Sequence, residues 1–168
     1  MVVPMATPNP QKRKKAKKRA ITLVPQAVDS GCGIACLAMV TCQPYEKVKS
    51  LLAKQCNWTT RRKKLHTHAR DLITYLHTHS DIRAQQSTFP GWEQLQGTSI
   101  LGVNREHNYY HWVVVIKNST TFVIIDPTNA EVYQGNIWIN DDKDGYVADA
   151  RSAFVMLQNV IATHIRIS

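Results

Sequence analysis

Apolar residues follow two different rhythms along this chain of 168 residues. Up to His79 they recur mostly at helical spacing; beyond Ser80 they alternate or run together, as in strands. The first rhythm predicts a helix from Cys32 to Thr41, stopped before Gln43-Pro44 because the residue ahead of a proline is biased away from helix. A second helix takes Pro44 into its first turn and sets Val48, Leu51, Leu52 and Gln55 at helical spacing, leaving Glu46, Lys47, Lys49 and Lys54 to solvent. A third runs from Thr67 to His79, with Ala69, Leu72, Ile73 and Leu76 on one face. The second rhythm predicts strands at 81–85, 100–103, 110–117, 121–126 and 160–167, a helical turn or loop at 92–95, and a short helix over 148–157. Helices first and sheet second is α+β order, with N-terminal helices packed on a C-terminal antiparallel sheet.

Composition narrows this to one globular domain: 43% of residues are apolar, with seven Gly and seven Pro. The longest apolar run, Ile34 to Val40, is far too short to span a bilayer, and the chain opens on no secretory h-region. The expectation is a soluble chain made in the cytosol. Its net charge of +9 is uneven, because seven basic residues and no acid lie within 1–20, leaving 14 basic against 12 acidic residues beyond. That stretch mixes Pro4, Pro8 and Pro10 with Lys12 to Arg19 and has too little apolar content to offset its ordering entropy. It reads as a flexible basic arm over 1–20 ahead of a domain over 21–168. A solvated tail is the simpler role for it, and contact with nucleic acid the alternative.

Cys32, Cys36, Cys42 and Cys56 are even in number, yet the first two stand one helical turn apart and no signal directs the chain to an oxidising compartment. Reduced thiols are expected. No Cys-x2-Cys knuckle is present, and His66, His68, His77 and His79, around the ends of the third helix, are ordinary surface choices there. Neither metal nor cofactor is expected.

The chemistry concentrates between Gln26 and Val40. A polar turn with Gly31 and Gly33 delivers Cys32 to the first turn of an apolar helix, where unpaired N–H groups and the helix dipole favour a thiolate. The two glycines leave room for a substrate backbone, and Ser30 or Asp29 is placed to cap the helix. Gln26, six residues upstream, can return its amide to the Cys32 N–H, and two such donors make an oxyanion hole. A buried cysteine opening an amphipathic helix is the bland alternative.

The second half of a site comes from 111–117 and 122–127. If Ser119-Thr120 centre a hairpin, paired residues sum to 239, so Val113 faces Asp126 and His111 is its diagonal neighbour on the same face. A slip of one residue would separate the two. Cys32, His111 and Asp126 then supply a nucleophile, a base and the group that orients the base. His107 is the rival base.

Gln26 and the run Cys32-Gly33-Ile34-Ala35-Cys36-Leu37-Ala38-Met39 resemble the start of the bacteriocin-processing cysteine peptidases, papain-like domains that remove double-glycine leader peptides. Tyr45-Glu46 to Leu52, His111-Trp112-Val113-Val114-Val115 and Ile124-Ile125-Asp126-Pro127 match further elements in the same order. Gly31 stands where that family usually has Asp. The resemblance implies a papain-like α+β fold, with Cys32 as nucleophile, His111 as base, Asp126 as its orienter and Gln26 as oxyanion donor. It implies an endopeptidase acting on protein or peptide substrates after small residues such as Gly-Gly. With the chain ending at Ser168, it also suggests a freestanding domain similar to bacterial effector toxins of the clan, delivered by a non-Sec route and restrained by an immunity protein. Two rival readings stay open: a glutamine deamidase or transglutaminase-like enzyme using the same triad, and a basic binding module without chemistry.

Overall fold

The computed structural model of the chain describes residues 19–22, 24–25, 30–59, 61–106, 109–118, 122–128, 131–134, 146–149, 151–160 and 162–166. Its strands are β1 (Arg19–Thr22), β2 (Arg83–Thr88), β3 (Gly97–Glu106), β4 (Tyr109–Lys117), β5 (Phe122–Asp126), β6 (Glu131–Gln134), β7 (Ala153–Gln158) and β8 (Ala162–Arg166). The helices α1 (Cys32–Thr41), α2 (Tyr45–Gln55) and α3 (Ala69–His79) all precede β2. Six strands form one antiparallel sheet in the order β2-β7-β3-β4-β5-β6, and β1 pairs with β8 in parallel as a separate ribbon. This is the α+β arrangement expected. Of the basic arm, only Arg19 and Ala20 are among the described residues, and they open β1.

α1 is apolar all round, and every residue from Cys32 to Val40 is buried. A helix without a polar face belongs inside a fold, and α1 lies against the sheet with α2 and α3 packed on it. α2 buries only Val48 and Leu52. α3 buries Ala69, Leu72, Tyr75 and Leu76 and starts on a capping box in which Asp71 accepts the His68 N–H at 2.9 Å.

Alternation along β4 sends Trp112, Val114 and Ile116 into the helix-side core and Val113 and Val115 into a second core with Leu101, Val103, Ile124 and Phe154. Both faces are covered, so β4 reads as a continuous apolar run.

The helix expected over 148–157 is not formed; β7 occupies the second half of that stretch, between β2 and β3. Phe154 and Val155 enter opposite cores, and both edges of β7 are hydrogen-bonded to neighbours. Those neighbours lie more than 50 residues away in sequence, so long-range pairing overrides a weak local preference. The strand expected at 81–85 forms two residues later, and β6 was not expected.

The four histidines around α3 have separate surroundings. His66 stacks on Tyr109, His68 caps the helix, His77 Nε2 lies 3.1 Å from both the N and O of Ala84, and His79 tilts against Tyr75. The four cysteines are free thiols.

Candidate active site

The helix half of the site is held by the loop that leads into α3. Gly31 is the N-cap residue of α1 and no side chain caps it. Ser30 instead accepts the backbone N–H of Leu65 at 2.6 Å, so the capping role expected of it is not taken up. Gly33 also differs from expectation. A Cβ there would stand 2.0 Å from Thr67 Oγ1 and 3.3 Å from Trp112 Cδ1, so the bare Cα makes room for protein rather than for substrate. Trp112 locks the contact, its indole N–H donating to the Thr67 carbonyl at 3.1 Å. Its backbone N–H points to the Cys32 sulfur at 3.4 Å, which joins α1 to β4 at the start of the helix. Cys32 is buried.

The hairpin half follows the expected register. Val114 pairs with Ile125 and Lys117 with Phe122, the sum of 239 in each case. His111 and Asp126 therefore meet, with Nε2 2.8 Å from Oδ1. Asp126 is buried, and two further donors reach it: the Thr128 N–H on Oδ1 at 2.8 Å and the Tyr146 hydroxyl on Oδ2 at 2.5 Å. The Thr128 hydroxyl lies 3.2 Å from His111 Nε2.

Burial works against charge on Asp126, but the hydrogen bond and positive charge of His111, with Tyr146 and Thr128 behind them, bring its carboxyl down to about 2. Burial likewise favours neutral His111; hydrogen bonds to Asp126 and Cys32, with the negative charge on both, outweigh it and raise the imidazole to about 9. The ring has two nitrogens, and Nε2 is taken up by Asp126 and Thr128. With its side chain 23% exposed, His111 is open to solvent, as is Thr128 beside it.

Cys36, one turn further along α1, is unlike Cys32. Complete burial, and then the negative charge of Cys32 and Asp126, push its thiol well above the ordinary value. It stays protonated and inert.

Three of the four expected site residues thus come together. Gln26, Asp29 and the rival base His107 lie outside the described residues. Two supporting groups were missed. Thr128 was legible in principle, since Asp-Pro-Thr invites the carboxylate to turn back onto the N–H two residues on. Tyr146 stands 20 residues from Asp126 in sequence and reaches it only through the fold. Among the described residues no group of three His, Cys, Asp or Glu side chains is placed to hold a metal ion, and no helix is long and apolar enough to cross a membrane.

The fold is that of peptidase domains. The peptidase domain of Streptococcus ComA, described as a bi-functional ABC transporter involved in a quorum-sensing pathway, superposes with a TM-score of 0.56 at 16% identity, over 82% of this chain and 97% of that one. A double glycine motif protease from an AMS/PCAT transporter, solved with its leader peptide, gives 0.56 at 17% identity over 86% and 94%. The peptidase domain of Streptococcus mutans ComA with a small-molecule inhibitor gives 0.51 at 16% identity over 81% and 98%. No curated protein matches the chain. The Peptidase C39 family matches residues 20–143, a span that holds α1 with Cys32, β4 with His111 and β5 with Asp126. The chain belongs to the Peptidase C39 family of papain-like cysteine proteases.

Proposed function

We propose that this peptidase works through Cys32, His111 and Asp126, with the Gln26 amide and the Cys32 N–H as oxyanion donors, and that it cuts after small residues such as Gly-Gly. The single observation that carries the triad is the Asp126–His111 contact at 2.8 Å, one residue from the Trp112 N–H that faces the Cys32 sulfur at 3.4 Å. An imidazole raised to about 9 is protonated at neutral pH, so it holds a proton to give to a leaving group. The thiolate attacks the scissile carbonyl carbon, and the oxyanion is met by backbone and amide N–H groups. On collapse the C–N bond breaks and His111 gives its proton to the leaving amine. Water then attacks the thioester, His111 takes a proton from it, and as the C–S bond breaks the acid product leaves and the thiolate returns beside the protonated His111. Throughout, Asp126 keeps the imidazole oriented and offsets its charge.

Support for a small residue before the cut comes from the protease solved with a leader peptide, whose name specifies a double glycine motif. It does not come from Gly33, whose open side is filled by Thr67 and Trp112. The test is terminal sequencing of a peptide library after incubation with wild type and with Cys32→Ala. New termini behind glycine with wild type alone are expected. Cuts behind bulky residues would overturn the preference, new termini with the variant would remove Cys32 from the reaction, and ammonia release without new termini would point to deamidation.

A further inference from the structure

A cleft of about 720 Å³ opens between the N-terminal end of α3, the end of β2 and the start of β7, and the mechanism leaves it without a role. Its wall includes His68, Arg70, Thr88, Tyr110, Arg151 and Ser152, and no carboxylate lines it. Arg70 and Arg151 are exposed, and among the described residues neither forms an ion pair. The nearby acids are otherwise engaged: Asp71 accepts the His68 N–H at 2.9 Å, and Asp149 accepts the Arg151 N–H at 2.8 Å. A second cleft, of about 470 Å³, shares His68 and Arg70 and adds Arg62, with Asp71 also in its wall.

The cleft adjoins the candidate active site through two chain neighbours. Tyr110 immediately precedes His111, and His68 immediately follows Thr67, whose side chain fills the space beside Gly33. The start of β4, the end of β3 and the start of β7 lie at one end of the sheet, so the wall and His111 share that end. We infer that the Arg70–Arg151 cleft binds an acidic segment of the polypeptide substrate, at a distance from the scissile bond. The inference rests on the peptidase mechanism proposed above and names a chemical feature of its substrate. Two guanidinium forks match carboxylates in geometry as well as charge.

A peptide fits better than a nucleic acid. The ring in this wall, Tyr110, is pressed on backbone, since a Cβ on Gly102 would lie 2.7 Å from its Cγ. Its hydroxyl donates to the Arg151 carbonyl at 2.9 Å, and its ring tilts against Trp112. A base needs an open aromatic face to stack on. The basic residues at 12–19 have the same sign as the cleft, so charge does not favour them as its occupant.

The experiment is fluorescence anisotropy of labelled hexaglutamate and hexaglutamine peptides on the full chain carrying Cys32→Ala, which prevents turnover. Hexaglutamate should bind at least about tenfold more tightly, and Arg70→Glu with Arg151→Glu should erase that preference. Arg70→Ala with Arg151→Ala should reduce it in the same direction, which guards against a folding defect from charge reversal. Lys47→Glu with Lys54→Glu, an equal change of net charge on the solvent face of α2, should leave binding within about twofold.

Equal weakening by both charge-reversed pairs, or no preference for hexaglutamate, would overturn the inference. So would an oligothymidylate that loses binding with the arginine pair while hexaglutamate does not. Iodoacetamide labelling of Cys32 in wild type and in Arg70→Glu with Arg151→Glu separates this result from the mechanism. Equal labelling with peptide preference lost supports the cleft; rapid labelling without any peptide preference removes the cleft and leaves the nucleophile.

Discussion

The two halves of the candidate active site are built on opposite plans. At the start of α1, Cys32 stands among close steric contacts: Gly33 against Thr67 and Trp112, Ser30 tied to the Leu65 N–H, and the sulfur facing the Trp112 N–H. At the end of the β4–β5 hairpin, His111 and Asp126 stand in a polar network that includes Tyr146 and Thr128 and reaches solvent through His111. The helix half sets position through packing, and the hairpin half sets protonation through hydrogen bonds. A site divided in this way should fail differently on its two sides.

The largest effects should come from the two groups proposed to react. Cys32→Ala and His111→Ala are each expected to lower peptide cleavage by about 10³-fold or more, measured as kcat/KM. Both should also lower stability in urea unfolding: Cys32→Ala empties the space of a buried sulfur and takes the acceptor from the Trp112 N–H, a loss independent of pH, whereas His111→Ala leaves a buried carboxylate without its cation, a loss that follows pH. If the two losses depend on pH alike, the contrast between a packed half and a titrating half fails.

Gly33→Ala should act on stability first, by about 1–3 kcal/mol in urea unfolding, because the new methyl group must displace the Thr67 side chain. Thr67→Ala in the same chain should recover part of that loss. A Gly33→Ala protein that is stable yet slow would return this glycine to the substrate path.

Tyr146→Phe removes one donor from a charged acceptor and should destabilise by about 1.5–3 kcal/mol. It should also move Asp126 up from about 2, so that the acid limb of the pH–rate profile shifts upward while cleavage at neutral pH falls modestly. An unmoved acid limb would reduce Tyr146 to packing.

The last prediction concerns pH dependence, and its sign follows from the two shifts. His111 is raised, so its contribution to stability is full below its ordinary 6.5 and is lost as pH rises through about 9. Asp126 is lowered, so its contribution is full above its ordinary 3.8 and is lost as pH falls through about 2. Relative to His111→Ala, the wild type should be most stabilised between 3.8 and 6.5, with the difference shrinking above that window. A difference that grows towards pH 9 would mean that the imidazole is held neutral.

How legible these halves were in the sequence also differs. The hairpin half could be derived from spacing, because a two-residue period and an even loop fix which side chains face one another; Val114 opposite Ile125 bears out the arithmetic. In the helix half, the motif marked Cys32, but the use of its small residues was misread. Whether Gly33 clears a path for substrate or for Thr67 depends on a loop 34 residues later, and no local pattern carries that. The same reason explains why a helix was expected over 148–157, where distant strands on both edges decide the conformation.

By itself, the sequence determined what periodicity and spacing can carry: three helices followed by a sheet, a cysteine at a helix start, and a His and an Asp in register across a hairpin. Only the tertiary structure decided what depends on residues far apart in the chain: the Tyr146 bond to Asp126, the Thr67–Gly33 contact, β7 in mid-sheet, and the cleft between Arg70 and Arg151. The physical reason is range. Backbone geometry imposes its repeats over a few residues, whereas burial and hydrogen-bond satisfaction are settled among whichever groups the whole fold brings within a few ångströms.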